Sequence, residues 1–424
     1  MKYVFVFINV LLTCISRTTG KIISTNIADF NGVLTHDVLL SWGFNENDSI
    51  LTLSERNIQS IDTNAFKNFN SIEILYLNRN NLTNIDENVF KGLDKLSELY
   101  LWYNNISSIQ KTAFDDLSSL KYLYLNGNQL SQIDASTFKN TKNVVFLNLN
   151  DNLLSNNIDS TLFDALKNLK FLFLKSNNID YFNNGIFKNL QKLKCLDLSG
   201  NKLNKIEPLD VLATLENLED LFINDNHFTT LDKRWFNGLD DLKNVYINNN
   251  NINLLEAVMF ENSENLEILS LSGNQIADID PFSFNKLKKL KILNLNQNKI
   301  NTIEQDDFEG LNNLRVLNLA NNNIQLIHSQ VFASLVDLSE LDLNSNKIAF
   351  IDKNEFSRNL NELAILTLKN NDLEYLNPNI FNNLEKIQIL CLNGNSIQEN
   401  FPFNWDNLDS LYKDEVYLEN CGAY

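Results

Sequence analysis

The sequence predicts an α/β-type solenoid of about 16 short strands in one parallel, concave sheet, backed by an irregular or 3-10 convex side. Three observations predict it. A frame of about 24 residues, LxxLxLxxNxLxxIxxxxFxxLxx, runs from Leu51 almost to the last residue. An Asn recurs in that frame at 80, 104, 128, 152, 177, 201, 226, 250, 274, 298, 322, 346, 371 and 395. A Phe follows ten or eleven residues later, as at Phe66, Phe90, Phe114 and Phe138.

Each element of the frame has a physical reason. In the LxL segment the leucines point inward and the intervening residues outward, as in a short strand. The chain then turns, and the turn strands backbone groups that need partners. An Asn amide donates and accepts together, so stacked Asn side chains satisfy neighbouring turns. Arg56 stands at this position in the first unit and Cys421 in the last. The Phe closes the outer wall; Val211 and Leu212 replace it in the seventh unit and Trp405 in the fifteenth. One unit is too small to bury its own apolar side, so stacking supplies the core.

The repeated motif resembles the typical class of extracellular leucine-rich repeat, as in Toll-type ectodomains, guidance and adhesion proteins and insect immune proteins. The resemblance covers roughly residues 50 to 421. It implies a leucine-rich repeat horseshoe, an exported protein and a recognition role, and it leaves the ligand open.

The N-terminus reads as a signal peptide over residues 1–20. Lys2 precedes an apolar stretch from Tyr3 to Ile15, and Thr18, Thr19 and Gly20 supply small residues before a cut ahead of Lys21. No later run approaches the length of a membrane span. Residues 21–49 read as a non-repeat N-terminal cap, with Phe30, Leu34, Leu39 and Trp42 among its apolar residues. Residues 50–424 read as the solenoid, with a truncated, cysteine-poor C-terminal end. Such an end exposes a strand edge, so residues 396–424 are expected to meet a partner, as a homo- or heterodimer.

Without residues 1–20 the chain keeps 33 basic and 53 acidic residues, a formal charge of −20. That balance repels phosphate backbones and argues against nucleic acid. Three sequons, at Asn47, Asn81 and Asn105, suit an exported glycoprotein. The mature chain would hold Cys195, Cys391 and Cys421, an odd number. Two readings stay open: buried thiols, or an interchain disulfide through Cys391 or Cys421.

Fifteen strand-to-strand steps give a concave face on the order of 70 Å, suited to a protein or polymer. Its outward residues are not uniform. Tyr76, Tyr100 and Tyr124 fall between strand leucines, Tyr122, Phe146 and Phe171 two residues earlier, and Phe173 and Trp102 extend them. These eight are the expected ligand-binding residues, since aromatics offer area at small entropic cost. Sheet stabilisation explains them equally well. From Ile268 and Ser270 onward the face turns aliphatic and amide-rich, and Asp197, Asp220, Glu340 and Asp342 read as solvated positions.

Catalysis finds no support, and the chain reads as no enzyme. His36, His227 and His328 lie in distant segments, and there is no metal spacing, cofactor loop or nucleophile–base pair. The expected function is a secreted, extracellular recognition module of innate-immune type for a protein or microbial-surface ligand. The alternatives are a matrix or adhesion protein, or a receptor ectodomain from a truncated gene model. An inhibitor of a basic enzyme comes last.

Overall fold

The computed structural model describes residues 30–206, 211–257, 259–352, 356, 359–376, 378–381 and 384–397. The expected signal peptide, Trp405 and Cys421 lie outside them. The chain divides into two compact units, residues 1–196 and 197–424.

In both units the LxL segments form three-residue parallel strands. The first unit pairs Ile50–Thr52, Ile74–Tyr76, Glu98–Tyr100, Tyr122–Tyr124, Phe146–Asn148 and Phe171–Phe173 in that order. Cys195–Asp197 falls at the boundary. The second unit pairs Asp220–Phe222, Asn244–Tyr246, Ile268–Ser270, Ile292–Asn294, Val316–Asn318, Glu340–Asp342, Ile365–Thr367 and Ile389–Cys391. The described residues thus hold fifteen such strands against the 16 expected, and the last expected one lies beyond them. Register is exact to the frame, so Tyr76 stands beside Tyr100 and Tyr100 beside Tyr124.

The convex side carries little regular structure. It holds two-residue strand pairs, such as Asn84–Ile85 with Ser108–Ile109, and the 3-10 turns Lys233–Phe236 and Pro378–Phe381. Residues 30–49 contain the one α-helix among the described residues, His36–Ser41, capped by the Thr35 hydroxyl accepting from the Val38 N–H. The preceding strand Val33–Leu34 pairs with Ser60–Ile61.

The core follows the frame. Strand leucines such as Leu75, Leu99, Leu293 and Leu317 are fully buried. The wall phenylalanines stack along the array, Phe66 on Phe90 at 6.2 Å and Phe284 on Phe308 at 6.5 Å between ring centres. Val211 and Leu212 are buried where the seventh unit lacks the ring.

The Asn ladder makes the bonds its chemistry requires. Asn80 Nδ2 donates to the carbonyls of Leu53 and Leu77 at 2.8 and 2.9 Å. Its Oδ1 accepts from the N–H groups of Arg56 and Ile58 at 2.9 and 3.0 Å. One side chain thereby ties two repeats. Asn274 repeats the scheme in the second unit, donating to Ile247 and Leu271 and accepting from Ile252. Arg56, at the ladder position of the first repeat, uses a different contact: its guanidinium lies 4.5 Å above the Trp42 ring. Burial lowers the Arg56 pKa from its ordinary value.

The residue before each ladder position has left-handed backbone, with φ of 59° at Glu55, 55° at Arg79, 51° at Tyr103 and 66° at Gly127. Further along the column Asp, Asn, Ser, Gln and Gly take the same conformation. Most of these types enter that region at small cost, whereas a bulky Tyr enters it at about 1–2 kcal/mol.

Candidate recognition surface

The outward face of the first unit is built by strand alternation. Each inward leucine fixes the residues on either side of it to the opposite face, so columns of side chains line up across the sheet. In one column Tyr76 stacks on Tyr100 at 4.5 Å and 15°, and Tyr100 on Tyr124 at 4.6 Å and 11°. Asn148 then stands in register with Tyr124, and the stack shifts sideways. Phe146 takes it up, 4.8 Å from Tyr124, and passes it to Phe173 at 5.2 Å. Phe146 also touches Tyr122 at 6.3 Å and Phe171 at 6.2 Å, joining the two columns.

Seven of the eight expected residues therefore form one connected set of rings. Trp102 has other partners. It meets Tyr103 edge-on at 5.2 Å, and the Arg79 guanidinium lies 5.2 Å above its ring. Arg79 in turn pairs with Glu55 at 3.0 Å. Tyr103, left out of the expected set, is the most exposed of these rings at 52%.

The rings fall into two tiers. Tyr100, Tyr124, Phe146 and Phe173 are buried, and the Tyr100 hydroxyl donates to Glu98 at 2.6 Å. Tyr76, Phe171 and Trp102 are half-buried, and Tyr122 is exposed. Ring pairs with this offset geometry contribute about 0.5–1.5 kcal/mol beyond the area they bury. The buried tier ties neighbouring strands together, and the outer tier is partly open to solvent.

The second unit has a shorter aromatic step, Phe222 on Tyr246 at 4.7 Å and 1°. Next to it Asp220 accepts from Asn244 Nδ2 at 2.6 Å, and burial raises both the Asp220 and the Tyr246 pKa. The other acidic positions are engaged locally. Asp197 accepts from the Ser199 N–H at 2.9 Å, and Asp342 from the Thr367 hydroxyl at 2.7 Å. Burial, then Asp342, raises Glu340. Among the described residues no group of three or more His, Cys, Asp or Glu is placed to hold a metal ion. His36 lies 3.8 Å from Glu46 and His328 lies 3.7 Å from Glu304, in separate units.

The three sequon asparagines, Asn47, Asn81 and Asn105, are all exposed. Cys195 is a buried thiol on the strand Cys195–Asp197. Cys391 is 2% exposed and disulfide-bonded. An interchain bond through Cys391 would have to replace the bond it already makes.

A family model described as leucine-rich repeat matches residues 49–106, 94–154, 155–208, 216–276, 264–324, 313–373 and 337–397. The chain belongs to the leucine-rich repeat family. Whole-sequence comparison with curated proteins finds no match. Among solved structures, a leucine-rich repeat protein of Leptospira interrogans is 25% identical, with a TM-score of 0.71 over 89% of this chain and 97% of that one. The Toll–Spätzle complex of Drosophila, described as a hub in development and innate immunity, matches at 25% identity and a TM-score of 0.74. That match covers 81% of this chain but 47% of the other, so the chain spans about half the length of that relative. An internalin of Listeria monocytogenes is 25% identical, with a TM-score of 0.60 over 76% of this chain and 87% of that one. Solenoids of this family are protein-interaction modules. No helix among the described residues is long and apolar enough to cross a membrane.

Proposed function

We propose that the protein is a secreted leucine-rich repeat recognition module of innate-immune type, binding a protein or polymeric microbial-surface ligand on the aromatic face of its first unit. The observation that carries this reading is the connected ring set from Tyr76 to Phe173, with Tyr122 exposed on it and Trp102 half-buried beside it. Large aromatic side chains held by their neighbours lose little freedom on binding, so they yield affinity that flexible side chains do not. Export rests on the signal-like residues 1–20 and the three exposed sequons, and the recognition role draws support from the likeness to the Toll chain. Residues 21–49 act as the N-terminal cap of the array, with Trp42 under Arg56 as its joint. Dimerisation through the C-terminal end belongs to the same reading.

The test compares material captured from extracellular fluid by the intact protein, by a Trp102→Ser, Tyr122→Ser variant, and by an Asn294→Ser, Asn318→Ser control. The reading expects the first variant to lose the captured partner and the control to keep it. Equal capture by all three overturns the placement of the ligand. A matrix role predicts fixed tissue deposits where the immune role predicts circulating protein that rises on infection.

A further inference from the structure

We propose that the first sugar of a glycan on Asn105 packs on the ring of Tyr103, so that this sequon is a structural attachment point and not a passive one. The inference rests on the reading of the chain as an exported glycoprotein. Three observations carry it. Tyr103 and Asn105 are both exposed, while Asn104 between them and Ile106 beyond are buried. The two outer side chains therefore emerge from one fixed turn, pinned by the Asn104 amide and by the Asn105 N–H donating to Leu82 at 2.9 Å.

The second observation is the placement of the ring. Tyr103 has a φ of 51° and lies across the backbone of Gly127, where a Cβ would stand 2.1 Å from its Cδ1. Any side chain at 127 would lift the ring. Trp102 meets it from the side at 78°. One face is thus supported by protein, and about half of the side chain stays open to solvent.

The third is the contrast with the other two sequons. Two residues before Asn81 stands Arg79, engaged with Trp102 and Glu55. Two residues before Asn47 stands Asn45, bonded to Asp48. Neither offers a ring. The C–H bonds on one face of a pyranose carry slight positive charge and match the negative face of a phenol ring. A ring already held in place loses little freedom when the sugar settles on it.

The experiment uses the full chain from a secretory host, trimmed to one N-acetylglucosamine per site. Peptide mass mapping first establishes occupancy of Asn105. Thermal unfolding then compares Asn105→Gln in the native and the Tyr103→Ala backgrounds, with Tyr103→Phe as the variant that keeps a ring. Loss of the sugar is expected to lower Tm by roughly 1–3 °C with Tyr or Phe at 103, and to leave it unchanged in the Y103A background. The pyranose protons should also move upfield when the ring is present. Asn81→Gln should shift Tm equally in both backgrounds. An occupied Asn105 with the same Tm shift in every background overturns the packing alone. An unoccupied Asn105 beside an occupied Asn47 or Asn81 overturns the packing alone, and secreted protein with all three sites unoccupied overturns the glycoprotein reading as well.

Discussion

Asn128 shows how much one residue carries. Its Nδ2 donates to Leu101 and Leu125 at 3.1 and 2.9 Å, and its Oδ1 accepts from the Ile106 N–H at 3.0 Å. Asn128→Ala strands buried backbone groups on two repeats. Unfolding in urea should show a loss of about 2–4 kcal/mol, above that of a surface Asn→Ala such as at Asn312. Asp307 is a second such case with the opposite sign of benefit. It is buried, its Oδ2 accepts from the Glu304 N–H, and its Oδ1 meets no donor among the described residues. Burial pushes its pKa up to about 6. The folded state therefore holds a proton that the unfolded chain releases near pH 4, so this contribution is present below about pH 4 and lost as pH rises through 6. Asp307→Asn keeps an acceptor for Glu304 and removes the titration. The stability of the native protein relative to this variant should fall by about 2–3 kcal/mol between pH 4 and pH 7, measured by urea unfolding at each pH. A difference independent of pH would contradict the burial of this carboxyl.

At the scale of the strand, the stacked rings behave as one element. Tyr100 sits between Tyr76 and Tyr124 and is tied to Glu98. Tyr100→Ala should cost about 2–4 kcal/mol, whereas Tyr122→Ala, on an exposed ring, should cost under about 1 kcal/mol in urea unfolding. Equal costs would mean that the two tiers do not exist. The strands, the ladder and the wall were legible because each answers a local demand: alternation, an unpaired turn, a gap behind the sheet. The split into tiers was not, because frame position gives the direction of a side chain and not how its neighbours cover it. The exposed ring of Tyr103 was not legible either, since the left-handed conformation before each ladder Asn shows in sequence as a mixture of Gly, Asn, Asp, Ser and Gln. A signal was there: four of the fifteen column residues are Gly, at 127, 200, 273 and 394.

For the whole molecule the repeat fixes the family and leaves the ligand open, because the same scaffold residues serve any partner. What distinguishes this chain is the unequal distribution of side chains on the strand face. The first unit carries the connected rings, and the second, beyond Phe222 and Tyr246, carries Ser270, Asn294, Asn318 and Thr367. The odd cysteine count left two readings open. The structure gives Cys195 as a buried thiol and Cys391 as disulfide-bonded, and Cys421 lies outside the described residues.

The most direct measurement replaces single outward residues with a photoreactive phenylalanine, at Tyr122 in the first unit and at Asn318 in the second, and irradiates the protein in extracellular fluid. The account predicts a covalent partner band from position 122 and none from position 318. A band from 318 alone, or the same band from both, would contradict the assignment of recognition to the aromatic face.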